Sequence, residues 1–213
     1  MEKAYRPNPF DEAIQEGAWN AINICLRLQP QERITLITDR YSREIADALL
    51  FEVNQVGAEA HVFLLEDYVP RPMRHMPEVV LQSLARSQVS IFAAQALENE
   101  LNARMEMMQV VNQNGLRHGH MVNISKVIMT QGMRADFNEI DRLSTRLVNR
   151  ARETRRIHAT SQGGTDIEAV FSPELRWVKT SGIITPEKWG NLPGGEIFTS
   201  PLRVDGLFVV DGV

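Results

Sequence analysis

Cysteine is almost missing from this chain. Cys25 is the one thiol among 213 residues, and it sits inside an apolar helical pattern. No disulfide framework can form, and a reduced, cytoplasmic setting is expected. An excess of basic charge is missing too. The net charge is −4, which argues against a nucleic-acid surface. No apolar run is long enough to span a bilayer, and Met1–Pro7 lacks the apolar core of a secretory signal. Neither nucleic acid nor membrane is therefore an expected partner. What remains is an ordinary globular mixture, 43% hydrophobic and 23% charged.

Glycine is absent from one telling place. Ile34–Thr38 reads as a buried strand, Ser42 to about Gln55 as a helix with Ile45, Leu49 and Val53 inward, and Ala60–Leu65 as a second strand. That alternation predicts a βαβ unit and a parallel sheet of Rossmann-like α/β type. The first turn, Thr38-Asp39-Arg40-Tyr41-Ser42-Arg43, has no glycine and cannot cradle a pyrophosphate. Asp39 at the strand end either borders a cleft or caps the next helix, and the capping role is expected.

Before this unit, Ile14, Ala18, Ala21, Ile22, Cys25 and Leu28 recur at three- and four-residue steps and predict a helix over 11–28. After it, Asp67–Pro77 reads as a loop with three prolines, and a helix follows around 78–87. Val89–Ala94 reads as a third strand, and Leu97–Asn112 as a helix whose methionines fill core space. His118 and His120 then stand at i, i+2, on one side of a strand. Such a pair suits a metal, but no carboxylate or cysteine lies near it in sequence, and a polar strand edge is the expected role. Phe137, Ile140, Leu143, Leu147 and Ala151 form one stripe of an amphipathic helix. Beyond Arg155 only short strand patterns remain, split by Gly-Gly, Ser-Pro and Ser-Gly turns. The expected organisation is an α/β domain over 1–152 and a β-rich segment over 153–213.

That segment contains Asn191-Leu192-Pro193-Gly194-Gly195-Glu196, followed by Ile197-Phe198-Thr199 and then Ser200-Pro201. Pro193 fixes one φ angle, and Gly194 and Gly195 permit either a positive φ or a close backbone approach. Glu196 is launched from this turn onto a strand. By composition alone the segment is a turn with a solvated Glu.

The segment resembles a motif of the thermophilic metallo-aminopeptidase family, which includes aminopeptidase T, aminopeptidase S and leucyl-aminopeptidase-like proteins. Gly163-Gly164-Thr165-Asp166, Leu28–Arg33 and Gly132–Asp136 add diffuse likeness. The resemblance implies a two-metal centre of Zn²⁺, Co²⁺ or Mg²⁺ with Glu196 as one ligand. Asn191, Pro193, Gly194 and Gly195 would support it. The resemblance further implies a peptide substrate and a homodimer. It also implies another Glu, two His, an Asp and the catalytic carboxylate in a stretch beyond residue 213, so the chain is expected to be the N-terminal portion of such a protein, with its catalytic residues outside it. Two alternatives stay open. One is an Fe²⁺-dependent ring-cleaving dioxygenase of the 2,5-dihydroxypyridine type, in which the motif is scaffold. The other is a relative that binds a peptide or partner without catalysis. Because the first turn lacks glycine, calorimetry with NAD or ATP is expected to show no binding; measurable heats would overturn this reading of the sheet.

Overall fold

The structure, a computed structural model, describes residues 3–186 and 188–210. In chain order its helices are α1 (Gln15–Trp19), α2 (Arg43–Val56), α3 (Glu78–Leu84), α4 (Leu101–Gln113), α5 (Lys126–Thr130) and α6 (Phe137–Ala151). The strands are β1 (Arg33–Thr38), β2 (Glu59–Leu64), β3 (Val89–Ala93), β4 (Arg117–His120), β5 (Arg156–Thr160), β6 (Asp166–Val170), β7 (Val178–Thr180), β8 (Gly190–Asn191), β9 (Glu196–Phe198) and β10 (Arg203–Leu207). They form two compact units. The first holds the described residues up to Asn138 together with Gly182–Gly194, and the second holds Glu139–Ser181 and the described residues from Gly195 onward.

The first unit contains the expected α/β fold. Its five strands pair in the order β2-β1-β3-β4-β8, all parallel. β1 lies beside both β2 and β3, so Ile34, Leu36 and Ile37 are fully enclosed. α2 ends at Gly57, whose φ of 81° terminates the helix in the left-handed conformation. The stripe expected over 11–28 is buried as read, but the helix is not uniform: a 3₁₀ turn (Glu12–Ile14) precedes α1, and a π-helix (Asn20–Cys25) follows it. α4 starts at Leu101 and not at Leu97, because Asn99 has a φ of 69° that no α-helix accommodates.

The second unit is β-rich. β10, β6 and β5 form an antiparallel sheet in that order, and β7 pairs with β9. The last strand among the described residues falls at Arg203–Leu207. The backbone N–H and C=O of Val209 are taken by the Thr165 hydroxyl, at 3.0 and 3.3 Å, and so leave the ladder. On α6 the buried side is Phe137, Ser144, Val148 and Ala151, whereas Leu143 and Leu147 are exposed. Their apolar stripe drifts off the buried face, because the packing row includes a serine that a hydrophobicity count skips.

Asp39 does cap the turn before α2: its Oδ1 accepts from the Ser42 N–H at 2.8 Å. Its other oxygen does more. Oδ2 accepts from the Gln95 N–H at 2.7 Å and from Arg71 Nη1 at 2.5 Å. Arg71 also holds both Glu100 oxygens, Oε1 at 2.9 Å, and donates to the Gln95 carbonyl at 2.6 Å. Glu100 Oε1 in turn accepts from the Met73 N–H at 2.9 Å. All three side chains are at most 5% exposed. Burial works against the charged forms of Arg71 and Glu100. Even so, hydrogen bonds and opposite charge keep the Arg71 pKa above its ordinary value and the Glu100 pKa below its own. The 67–77 loop is thereby pinned at the C-terminal ends of β1 and β3.

Removing Arg71 leaves two buried carboxylates unpaired. Arg71→Ala is expected to lower stability by about 3–5 kcal/mol. Arg134→Ala, which breaks a half-exposed pair with Glu16, is expected to lower it by about 1 kcal/mol or less. Urea unfolding of the two variants measures the difference, and equal losses would refute the anchoring role.

Candidate functional site

The turn carrying Glu196 begins as sheet. β8 adds to the edge of β4, with Gly119 opposite Gly190 and His120 opposite Asn191. The Leu192 N–H continues the ladder to the His120 carbonyl at 3.1 Å, and its side chain is buried. The chain then passes through a cis Leu192–Pro193 peptide. A Cβ on Gly194 would lie 2.8 Å from the Gly182 nitrogen and 2.9 Å from the Asn191 oxygen. No side chain fits there, so glycine serves close backbone approach and not a positive φ. Gly195 departs from the sequence expectation. A Cβ there would meet only Ile140 Cγ2 at 3.5 Å, and its φ is not positive either. Gly195 therefore tolerates a side chain, and the steric demand rests on Gly194.

Glu196 opens β9 and is exposed. Across the pair it faces Thr180 of β7, whose hydroxyl donates to Oε1 at 3.3 Å. Lys179 and Ile197, the next pair, point to the other face. Lys179 Nζ reaches Asp141 Oδ1 at 2.6 Å and Thr145 Oγ1 at 3.0 Å, and the Ser181 hydroxyl also donates to Asp141. Asp141 is thus committed to local donors. Among the described residues no three His, Cys, Asp or Glu side chains stand close enough together to hold a metal ion. One exposed carboxylate and a threonine do not make a metal centre. The described residues do not by themselves fit a two-metal group.

His118 and His120 do share one side of β4, but their nitrogens are turned on each other. His118 Nε2 lies 3.0 Å from His120 Nδ1, and His118 Nδ1 lies 2.9 Å from Ser90 Oγ. His120 stacks on Phe92 at 5.4 Å and meets the edge of Trp189 at 5.8 Å. The pair is a buried polar ladder, sealed by aromatic rings. Burial pushes the His118 pKa well below its ordinary value, with the neighbouring His120 adding to the effect. Burial, helped by Arg104, brings His120 down to about 4. Above the unfolded value of about 6.5 both states are neutral and stability is full. As pH falls from about 6.5 toward 4, the unfolded chain takes up protons that the folded chain refuses, and stability is lost. Urea midpoints at about pH 7 and pH 4.5 measure this, and the loss is expected to be shallower in His120→Gln. An unchanged slope in that variant would remove the histidine pair as its cause.

Neither the protein families nor the curated proteins compared with this sequence match it. Solved structures do. One is 2,5-dihydroxypyridine dioxygenase from Pseudomonas putida KT2440, with a TM-score of 0.63 and 14% identity over 92% of this chain and 58% of that one. Another is wild-type AmpT from Thermus thermophilus, an aminopeptidase, with a TM-score of 0.62 and 14% identity over 93% of this chain and 64% of that one. The chain therefore spans less than two thirds of either structure. At this identity the likeness is one of fold. It is shared equally by a hydrolase and an oxygenase, and it singles out neither chemistry.

Proposed function

We propose that this chain is part of a metal-dependent aminopeptidase, with Glu196 serving as one ligand of a divalent metal centre. The observation that carries the reading is the Asn191–Glu196 turn. It resembles a motif of that family, and its backbone is fixed by the close approach of Gly194 to Gly182. A carboxylate used as a ligand needs such a fixed base. The likeness in fold to AmpT supports the same reading. On this reading the remaining ligands and the catalytic carboxylate come from residues outside the chain; among the described residues there is no three-ligand cluster. A peptide substrate and a homodimeric assembly belong to the same proposal. The second reading, an Fe²⁺-dependent ring-cleaving dioxygenase, is supported by an equal likeness in fold. Under it the turn is scaffold and Glu196 binds nothing.

The 213-residue chain alone is expected to bind Zn²⁺ or Co²⁺ weakly in calorimetry and to leave leucine p-nitroanilide intact. Extended by the ligands outside it, the protein is expected to bind metal tightly and cleave that substrate. Glu196→Gln in the extended protein is expected to cost about 10- to 100-fold in metal affinity or activity, as changes around metal ligands do. Metal-dependent cleavage untouched by Glu196→Gln would remove this residue from the centre. Fe²⁺-dependent consumption of 2,5-dihydroxypyridine in place of peptide cleavage would assign the other chemistry.

A further inference from the structure

Away from that turn, α2 carries two buried carboxylates with only neutral donors. Asp47 and Glu52 are 2% and 3% exposed. Asp47 accepts from the Tyr5 hydroxyl at 2.6 Å and from the Asn8 N–H. Glu52 accepts from the Gln15 amide at 3.1 Å. Arg43, one turn from Asp47, is committed elsewhere: its Nη2 donates to the Arg6 carbonyl at 2.8 Å and its guanidinium lies over the Tyr5 ring. Burial pushes the Asp47 carboxyl above its ordinary pKa, in spite of Tyr5, Asn8 and Arg43. A buried carboxylate without a matching charge is costly, and such groups are normally paired.

Asp47 opens onto a cavity of about 430 Å³ between α2 and the segment 7–15. Asp47, Leu50, Phe51 and Asn54 line it from α2, one helical face at i, i+3, i+4 and i+7. Phe10 closes the opposite wall, edge-on to Phe51 at 5.6 Å. Glu12 adds a second carboxylate to the lining, and no Lys, Arg or His contributes to it. Apolar walls, two aromatic rings and two carboxylates, with no cationic side chain in the lining, are the chemistry that selects an organic cation. We propose that this cavity binds a small organic cation, an ammonium or amidinium group carried on an apolar body. The cationic head lies against Asp47 and the aromatic rings, and the apolar body lies along Leu50.

Titration of the ¹⁵N-labelled chain with benzamidinium and benzylammonium tests this, with benzyl alcohol as the neutral control. Saturable shifts of the Phe10, Asp47, Phe51 and Asn54 amides are expected, with the cations binding about tenfold or more tighter than the alcohol. Asp47→Asn is expected to erase that preference and leave the alcohol unaffected. Phe51→Ala alters a partly exposed ring and so spares the fold; it is expected to weaken both cations. It serves as the second variant if Asp47→Asn does not fold. Equal binding of cation and alcohol overturns the proposal. So do shifts centred elsewhere, unchanged cation binding in Phe51→Ala, and no binding at all.

Discussion

The first unit depends on a buried charge cluster. Two carboxylates, Asp39 and Glu100, are held by one guanidinium, and the excess negative charge is spread over backbone N–H groups of Ser42, Met73 and Gln95. Each donor comes from a different stretch of chain, so one arginine ties the β1 end, the 67–77 loop, the β3 exit and the start of α4 together. Open parallel sheets usually receive ligands in the crevice beyond their strand ends. Here that position is filled by the protein's own ion pairs. The first turn, which has no glycine, and the arginine anchor meet at this position.

Most of that scaffold was legible because it is local. The alternation of apolar runs placed β1, β2, β3, α2 and α6 within a few residues. What escaped was set by partners far away in sequence. β8 has two residues and no pattern; it is a strand only because β4 presents an open edge. α5 is a single turn whose cap is Ser125. Asp47 and Glu52 lie off the inward stripe of Ile45, Leu49 and Val53, and they are buried because residues 3–15 lie over that side of α2. No count along the helix contains that information.

The Asn191–Glu196 turn was legible as a rigid segment, yet the reason for its rigidity was not. Sequence offers two glycines of equal standing. The structure separates them: Gly194 lies against the backbone of Gly182, twelve positions earlier, and Gly195 has room. The histidine pair gave the opposite outcome. Its shared face was correctly read from strand periodicity, but three of the four ring nitrogens face one another or Ser90.

The path of the chain through its two units has a practical meaning for genetic dissection. The polypeptide crosses from one unit to the other at Asn138–Glu139, returns at Ser181–Gly182 and crosses again at Gly194–Gly195. Neither unit is a contiguous gene segment. A stop codon after α6 would remove β8 along with the β-rich strands and leave β4 as a bare edge, ready to pair with other chains. The first unit can be isolated faithfully only by grafting 182–194 back onto it.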